Sequence, residues 1–426
     1  MRVTLRTKIP GRKSHTLLQH EQRINGGWKT RYPFVHSGKG TGCYFQDIDG
    51  NTFLDFASQI SSNPLGYNHP HIVRMIKHYA RSPLKYAGGD FSVRETSLLI
   101  DELLTIVPKQ FNKAFLINSG AEAVENSMKI AMHMKPQAKF CISLEGAFHG
   151  RSLGALSLTN SRSVQKTNFF RFPTLRLPFQ HADQALQRIL NQEGGPEDIA
   201  FVIVEHIQGE GGYRIPNMRM IQQLRKLCKQ EHIPYIADEV QAGMGRTGQW
   251  WSYEHFNIIP DIMTSAKALQ VGAVLANKKN FPPYGSISST WGGGHILDLA
   301  TGVETIKTIK KEKLLRKNTL HGTYIQRQLR NIKGIQNVRG HGLMIGFDVA
   351  SEKIRNNLIL QCVKHGLVIL GCGEKSIRII PPYIITEREI NEGIAILEHS
   401  LHTAGKESYR HKGIICKYIN CGALPT

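Results

Sequence analysis

The segment IAFVIVEHIQGEGGYRIPNMRMIQQLRKLCKQEHIPYIADEV, residues 199–240, indicates the fold class of this chain. It opens on an apolar run (199–207) typical of a buried strand and closes on a second such run (234–240). Between them lies a stretch with helical spacing of its apolar residues (219–231). Strand, helix and strand in this order predict a βαβ unit, in which two parallel strands share a sheet and the helix covers one face.

The same alternation continues towards the N-terminus. KAFLIN (113–118) and KFCISL (139–144) are predicted strands, and the stretch between them (121–134) is a predicted helix. An Asp-Gly pair within 42–56 predicts a hairpin turn. We therefore expect an α/β protein with a mostly parallel central sheet and helices on both faces.

The pattern changes towards the C-terminus and predicts a division into four segments. An N-terminal arm with part of a small domain (1–80) precedes a large domain (81–310). A smaller α+β domain follows (311–402), beginning with a long basic helix (311–332), and the chain ends in a basic tail (403–426). The N- and C-terminal segments are expected to form the small domain together.

Composition excludes several classes of function. The chain has 426 residues and a formal net charge of +21, which attracts anions. The basic residues are dispersed and form no recognisable nucleic-acid module. No apolar run approaches the ~18–20 residues of a membrane span, and the N-terminus has no secretory signal. Seven scattered cysteines without a CxxC motif favour reduced thiols, a cytoplasmic location and no metal site.

The motif NSGAEAV places small residues where a strand gives way to a helix. Ser119, Gly120 and Ala121 would leave backbone N–H groups free to bind a phosphate at the positive end of that helix. Ser119 is equally suited to a plain N-cap role, with no ligand at all. The motif alone leaves both interpretations open.

A second motif, LEGAFHGRS, follows the strand at 139–144. Phe148 could stack on a planar ring, His149 lies beside it, and Arg151 could bind a carboxylate with its planar guanidinium. Alternatively, Phe148 belongs to the core and Arg151 is a surface charge. Taken singly, the residues favour this second interpretation.

Charged residues also follow two buried-type strands. Glu205 lies near the end of the apolar run at 199–207 and Glu210 follows it, and ligands bind at this edge of parallel sheets. Asp238 ends the next strand and needs a partner if it is buried as an anion. Lys267 lies in the apolar stretch IMTSAKALQVGAV, where an ammonium group without a partner is costly. These positions predict a site at the sheet edge.

Together these motifs resemble the class III aminotransferases, the ω-aminotransferase branch of the fold-type I enzymes that depend on pyridoxal 5′-phosphate (PLP). The resemblance runs from about 32 to 402 and implies the fold-type I architecture. Different motifs of the chain resemble two different subgroups of this family. LGCGEKSIRIIPPY, AFHGRS and GRTG resemble archaeal-type 4-aminobutyrate aminotransferases and related racemases, whereas AKALQVGAV and SSTWGGG resemble lysine 6-aminotransferases.

The resemblance implies roles at the cofactor. Lys267 would form the Schiff base with PLP and move a proton, and Asp238 would pair with the ring nitrogen. The other positions implied for the cofactor site are Ser119, Gly120 and Ala121 at the phosphate, Phe148 and Val240 on the two ring faces, Gln241 near the ring hydroxyl, His149, Glu205, and Thr290 from the partner subunit of a homodimer.

It also implies how substrates are bound. Arg378 would bind the α-carboxylate and Arg151 the distal carboxylate of a 2-oxo acid, expected to be 2-oxoglutarate. Glu210 would pair with Arg378 when an ω-amine enters. At two positions the chain departs from the usual pattern of the family, and both positions bear on which substrate binds. His206 stands where most relatives have proline, and Gln270, where many relatives have glycines, is a candidate for lining the pocket.

We therefore expect a PLP-dependent enzyme that moves the ω-amino group of an amino acid to 2-oxoglutarate by a ping-pong mechanism. The donor stays open among 4-aminobutyrate, lysine, ornithine and acetylated ornithine. A PLP-dependent amino-acid racemase is the alternative on the same scaffold. A non-catalytic, basic nucleic-acid-binding protein is a remote third possibility.

Overall fold

The computed structural model describes residues 1–27, 32–82, 90–161, 163–192, 195–287, 293 and 295–406. The described chain divides into two compact units. The small unit combines Met1–Pro70 with the chain from Lys317 onward, and the large unit is His71–Arg316. The four-segment division stays a prediction, and most of the expected tail lies outside the described residues.

The strands and helices are numbered in chain order. The strands are β1 (His36–Thr41), β2 (Tyr44–Asp47), β3 (Thr52–Asp55), β4 (Lys113–Ile117), β5 (Phe140–Leu144), β6 (Thr174–Leu177), β7 (Ile199–Val204), β8 (Tyr235–Asp238), β9 (Ile262–Ser265), β10 (Gly272–Ala276), β11 (Gln336–His341), β12 (Met344–Asp348), β13 (Leu367–Val368), β14 (Leu370–Cys372) and β15 (Ser376–Ile379). The helices are α1 (Arg12–Ile24), α2 (Ser58–Ser61), α3 (Pro70–Tyr79), α4 (Arg94–Leu104), α5 (Gly120–Met134), α6 (Leu153–Leu158), α7 (Ala182–Leu190), α8 (Met218–Gln230), α9 (Ile296–Lys311), α10 (Leu314–Arg330), α11 (Glu352–Lys364) and α12 (Glu387–Lys406).

A seven-stranded sheet forms the centre of the large unit. Its strand order is β4-β10-β9-β8-β7-β5-β6. β5 to β9 pair in parallel where they are neighbours, whereas β10 runs antiparallel to both β4 and β9. The predicted mostly parallel α/β sheet is therefore confirmed, and among its seven described strands β10 alone runs in the opposite direction.

Helices cover both faces of this sheet because side chains alternate along each strand. On β7, Val202 packs in the same buried cluster as Leu224 of α8. The next residue, Ile203, belongs to a second cluster with Met128 of α5. All four side chains are buried, and burial of each contributes about 1.5–3 kcal/mol relative to exposure.

Two predicted elements differ from the observed ones. The strand predicted at 199–207 ends at Val204, where the chain turns into a loop. The helix predicted at 311–332 begins at Leu314 instead. Lys313 has φ 54, a left-handed value that interrupts a right-handed helix, so α9 and α10 are separate.

The small unit contains two four-stranded sheets. One has the order β1-β2-β3-β13 and the other β11-β12-β15-β14. β2 and β3 form the antiparallel hairpin predicted within 42–56. The turn between them includes Gly50 with φ +84, a conformation that glycine adopts without steric cost.

The N-terminal segment is tied into the small unit. Asp49, in the turn after β2, accepts the backbone N–H groups of Lys13 and Ser14 with its two carboxylate oxygens, at 2.8 and 2.9 Å. Both donors lie in the first turn of α1. Asp49 therefore stabilises the start of that helix from a position more than thirty residues away.

Four consecutive residues after β3, from Ser58 to Ser61, have φ between 48° and 75°. None of them is glycine, so this left-handed turn is strained. Asp55 holds its start, because Oδ1 accepts the N–H groups of Ala57 and Ser58, both at 2.8 Å. The hydroxyl of Tyr67 donates to the second oxygen of Asp55 at 2.8 Å.

Every helix in the described part of the chain is too short or too polar to cross a lipid bilayer. The five cysteines within the described ranges are buried and form no disulfide with one another.

Candidate active site

The site in the large unit is built at the carboxyl edge of its parallel strands. Asp238 is the last residue of β8 and lies opposite Thr264 of β9. Lys267 follows β9 by two residues and begins a short 3₁₀ turn, Lys267–Leu269. Because β8 and β9 are parallel neighbours, Asp238 and Lys267 lie at the same edge of the sheet, where α/β folds bind ligands.

A buried hydrogen bond connects Asp238 to His149. Oδ2 of Asp238 lies 2.7 Å from Nδ1 of His149, and the two residues are 5% and 3% exposed. Oδ1 accepts the N–H group of Val240 at 3.1 Å and the hydroxyl of Thr264 at 3.3 Å. Nε2 of His149 is buried and makes no hydrogen bond within the described part of the chain.

Lys267 lies in an unusual backbone conformation. Its φ is 43 and that of Gln270 is 72, both in the left-handed region. The side-chain amide of Gln270 donates to the Lys267 carbonyl at 3.0 Å, and its backbone N–H donates to the same oxygen at 2.9 Å. Such strain in non-glycine residues occurs where the surrounding structure imposes it, often at functional sites.

Helix α5 begins in close contact with this region because Gly120 has no side chain. A Cβ atom at Gly120 would lie 2.7 Å from Cγ1 of Val240 and 3.4 Å from Cβ of Ala266. Ser119 acts as the N-cap, and its hydroxyl accepts the N–H group of Glu122 at 3.2 Å. Ser119 thus caps α5, and the helix start lies next to the residue before Lys267.

Gly150 brings the His149 loop against the same helix start. A Cβ atom at Gly150 would lie 3.1 Å from the Cβ of Ala121 and 2.9 Å from that of Ala155, and its φ of +134 favours glycine. The structure therefore brings together the segments that carry Ala121, His149, Asp238 and Lys267.

Glu205 connects two loops of the site. One carboxylate oxygen accepts the N–H group of Phe148 at 2.8 Å, and the other accepts that of Gly209 at 2.9 Å. Burial raises the pKa of Glu205 above its usual range. Through these bonds Glu205 holds the backbone of half-buried Phe148.

Gln241 is placed by the loop that follows β7. The hydroxyl of Tyr213 donates to Oε1 of Gln241 at 2.8 Å. A Cβ atom at Gly209 would lie 3.0 Å from both Oε1 and Nε2 of Gln241, so the amide packs closely against this glycine. Glu210, in the same loop, is partly exposed.

The loop is fastened to the end of β5 by Arg214. Its guanidinium donates to Oε1 of Gln208 at 3.0 and 2.6 Å and to the carbonyl of Glu145 at 2.8 Å, and it lies 4.4 Å from the ring centroid of Phe179. The amide of Gln208 donates to the same carbonyl at 2.8 Å. These bonds fix the backbone on either side of Glu210.

His206 is fully buried, and its imidazole bonds to a neighbouring strand. Nε2 lies 3.0 Å from the hydroxyl of Tyr235, and Nδ1 lies 3.8 Å from Oε1 of Glu239. Burial lowers the pKa of His206 to about 3 and raises that of Glu239 to about 7. Glu239 accepts three hydrogen bonds from Ser252 and Tyr253. His206 therefore attaches its loop to β8.

Arg151, Arg378 and Thr290 were also predicted to belong to the site. Arg151 is exposed. Arg378 belongs to the small unit, where it lies in β15 and is 1% exposed. Thr290 lies outside the described residues, and its role stays a prediction.

Several contributing residues were missed by sequence reasoning. The hydroxyl of Thr264 donates a hydrogen bond to Asp238, and the hydroxyl of Thr159 accepts one from the backbone N–H group of His149. Tyr213 contacts Gln241, and Glu239 follows Asp238 directly. Of these residues, only Glu239 could have been noticed from the sequence, because it lies directly beside Asp238. The other contacts join distant parts of the chain.

The arrangement fits a phosphorylated pyridine cofactor. Asp238 offers a buried carboxylate to a ring nitrogen, Gly120 lets the start of α5 and its backbone N–H groups approach Val240 and Ala266 closely, and Lys267 supplies an amine at the end of the adjacent strand. Within the described ranges, no group of three or more His, Cys, Asp or Glu side chains is placed to hold a metal ion.

Comparison with known proteins agrees with this fit. Residues 28–401 match the family described as aminotransferase class-III. Acetylornithine aminotransferases are similar to the chain: that of Archaeoglobus fulgidus is 33% identical over 371 residues, covering 84% of this chain and 93% of the relative. That of Methanosarcina mazei is 34% identical over 379 residues, covering 87% and 92%.

Solved structures show the same fold. The lysine aminotransferase from M. tuberculosis in the internal aldimine form superposes with a TM-score of 0.85 at 26% identity, covering 92% of this chain and 98% of that chain. The ornithine aminotransferase from Toxoplasma gondii ME49 gives a TM-score of 0.84 at 25% identity, covering 93% and 97%. The predicted family and fold are thus confirmed: the chain belongs to the class-III aminotransferases, the PLP-dependent ω-aminotransferases.

Proposed function

We propose that this enzyme transfers the ω-amino group of an ornithine-type amino acid, N-acetylornithine in the first place, to 2-oxoglutarate. The observation that supports the chemistry is the register of β8 and β9, which puts buried Asp238 and the Lys267 turn at one sheet edge. The choice of donor is supported by the relatives named above, which are acetylornithine aminotransferases. We do not favour 4-aminobutyrate or lysine as donors.

Bound PLP supplies an electron sink for the carbon that carries the amino group. In our proposal Lys267 holds the cofactor through its Nζ and then moves a proton at that atom. Asp238, oriented by His149 and Thr264, would keep a positive charge on the ring nitrogen of bound PLP. An anion in this buried setting is stabilised by such a charge, because the local dielectric constant is low.

Other residues position the cofactor and exclude water. Phe148 and Val240 would enclose the ring, Gln241 would donate to its hydroxyl oxygen, and the N–H groups of Gly120 and Ala121 would bind the phosphate. The close approach at Gly120 supports this last role, because it brings the start of α5 against Val240, two residues from Asp238.

Two arginines would bind the substrate carboxylates. Arg378 is a candidate for the α-carboxylate and Arg151 for the distal carboxylate of 2-oxoglutarate, because a planar guanidinium binds a carboxylate with two hydrogen bonds. An ω-amine brings no carboxylate next to the reacting carbon, so Glu210 would pair with Arg378 in that half-reaction. A homodimer, with Thr290 reaching the partner's phosphate site, and a cytoplasmic location stay predictions.

The first half-reaction tests the donor. The holoenzyme is mixed in a stopped-flow instrument with N-acetylornithine, ornithine, lysine or 4-aminobutyrate in the absence of a 2-oxo acid, and the loss of the cofactor's visible band is followed. We expect N-acetylornithine to react fastest by at least about tenfold in kcat/KM, which corresponds to ~1.4 kcal/mol. A faster reaction with 4-aminobutyrate or lysine would overturn the donor, and interconversion of enantiomers without a 2-oxo acid would favour a racemase.

A further inference from the structure

The loop after β7 contains a buried tyrosine whose hydroxyl is directed at a predicted cofactor ligand. Tyr213 is fully buried and has φ 51, so its backbone is in the left-handed region. Its N–H group donates to the carbonyl of Gln208 at 2.9 Å, which closes the turn. A bulky residue in this conformation is strained, which implies that its side chain is held in place by the surrounding structure.

The hydroxyl of Tyr213 donates to Oε1 of Gln241 at 2.8 Å. The amide of Gln241 also packs closely against Gly209, whose N–H group donates to Glu205 at 2.9 Å. Gln241 follows Asp238 by three residues and Val240 by one, so it leaves β8 next to both of them. Its amide group is therefore restrained on two sides.

An amide side chain has two chemically different ends, an acceptor oxygen and a donor nitrogen. A hydroxyl that donates to the oxygen fixes which end faces it, so the nitrogen faces away from Tyr213. When the phenolic oxygen of bound PLP is negatively charged, it needs a hydrogen-bond donor. An amide oxygen in the place of that donor would repel it. The orientation of the Gln241 amide thus decides whether it stabilises or opposes that charge.

We propose that Tyr213 is a positioning residue: by donating to Oε1 of Gln241, it presents the amide nitrogen of Gln241 as the donor for the phenolic oxygen of the cofactor. This inference rests on the role proposed for Gln241 at the cofactor ring. Tyr213 itself needs no contact with cofactor or substrate.

The test compares two substitutions that each remove one buried hydroxyl. Tyr213→Phe removes the donor to Gln241. Tyr253→Phe is the matched control, because Tyr253 is 1% exposed and its hydroxyl makes no hydrogen bond in the described part of the chain. The readouts are the pH titration of the holoenzyme's visible cofactor band and the dissociation constant for PLP. Neither readout depends on turnover.

We expect Tyr213→Phe to weaken PLP binding by about three- to tenfold, the usual effect of one hydrogen bond, and to shift the midpoint of the band's titration. Tyr253→Phe should match the unaltered enzyme within about twofold, since it loses no hydrogen bond. Unchanged binding and titration in Tyr213→Phe would overturn the inference.

A double substitution separates positioning from simple packing. If Tyr213 acts through Gln241, Tyr213→Phe should change neither readout further once Gln241→Ala is present. An equal effect in both backgrounds would show a structural role instead and would also overturn the proposal. If Gln241→Ala alone changes neither readout, the role proposed for Gln241 fails, which is a distinct result from failure of the Tyr213 inference.

Discussion

Nδ1 of His149 and Oδ2 of Asp238 lie 2.7 Å apart, although 89 residues separate them in the chain. The bond forms because the loop after β5 and the end of β8 meet at one edge of the sheet. His149 thereby orients the carboxylate, and both side chains are almost completely buried. We therefore expect catalysis at this site to depend more on the negative charge of the Asp238 side chain than on the shape of that side chain.

Neutralising Asp238 should therefore slow catalysis strongly. Asp238→Asn keeps the size of the side chain but removes its charge. A unit charge about 4 Å away contributes ~4 kcal/mol at an effective dielectric constant near 20, so we expect the half-reaction with N-acetylornithine to slow by about 10²–10³-fold. Stopped-flow absorbance measures this rate.

Asp261→Asn is the matched control. Asp261 precedes β9 at the opposite end from Lys267, and it binds Arg225 at 2.7 Å. We expect Asp261→Asn to change the rate of the half-reaction by less than about threefold, because this charge lies far from the site. Equal rates for the two variants would contradict the role of Asp238.

Adding a methyl group at Gly120 should weaken cofactor binding. In Gly120→Ala the new Cβ would lie 2.7 Å from Val240, so α5 or Val240 must move. Overpacking of this kind costs about 1–3 kcal/mol, and we expect the dissociation constant for PLP to rise at least about fivefold. Gly26→Ala, where no atom lies within 4 Å of the new Cβ, is the control and should not change it.

His206 should make the protein sensitive to acid. Its pKa in the folded protein, about 3, lies below the value of 6.5 expected when unfolded, so the unfolded state binds the proton first. The stability it contributes is present above pH 6.5 and is lost as the pH falls towards 3. Between about pH 7.5 and 5.0 the free energy of unfolding should fall by ~2 kcal/mol on this account.

His206→Gln removes the titrating group, so that variant should lose less stability over the same range. Urea unfolding at both pH values measures the difference. The raised pKa of Glu239 acts in the opposite sense, and comparison of the two proteins at each pH separates the contributions. His133→Gln, an exposed position on α5, is the control. Identical pH profiles for all three proteins would show that His206 does not titrate as described.

Removing the carboxylate of Glu210 should reduce the preference for ω-amines. In Glu210→Ser the carboxylate proposed to pair with Arg378 is lost, and removing one partner of a buried ion pair costs several kcal/mol. We expect kcat/KM for N-acetylornithine to fall by at least about tenfold and that for glutamate to change by less than about threefold. An unchanged ratio between the two substrates would refute the proposed exchange of partners at Arg378.

The predicted homodimer can be tested by mixing two inactive variants. Lys267→Ala and Thr290→Val are each expected to be poorly active. If Thr290 serves the partner's site, a mixed dimer has one site with both residues intact, and activity returns on refolding the two chains together. No recovery, in a mixture shown by mass to contain mixed dimers, would mean that Thr290 does not act across the interface.

Sequence alone predicted the elements with strong local patterns. The strands at 113–118, 139–144 and 234–240 and the helix at 219–231 lie within one or two residues of those observed, because continuous apolar runs and helical periodicity are local signals. The reversed direction of β10 was not predicted, since an apolar strand carries no information about its direction.

The site was predictable only as a set of residue types. Asp238 and Lys267 were identified because charge in an apolar stretch is costly. The partners that orient them were not, because the contacts of His149 with Asp238 and of Tyr213 with Gln241 span 89 and 28 residues. Such contacts depend on strand order, which the local pattern does not encode.

The attachment of the N-terminal segment has a practical consequence for truncation. The stretch that matches the family begins at residue 28, yet α1 is capped by Asp49, and Asn51 accepts the N–H groups of Arg6 and Thr7 at 2.8 and 2.9 Å. A version trimmed to the family match would leave these acceptors on the β2–β3 hairpin without their donors. Expression vectors should therefore retain the first two dozen codons.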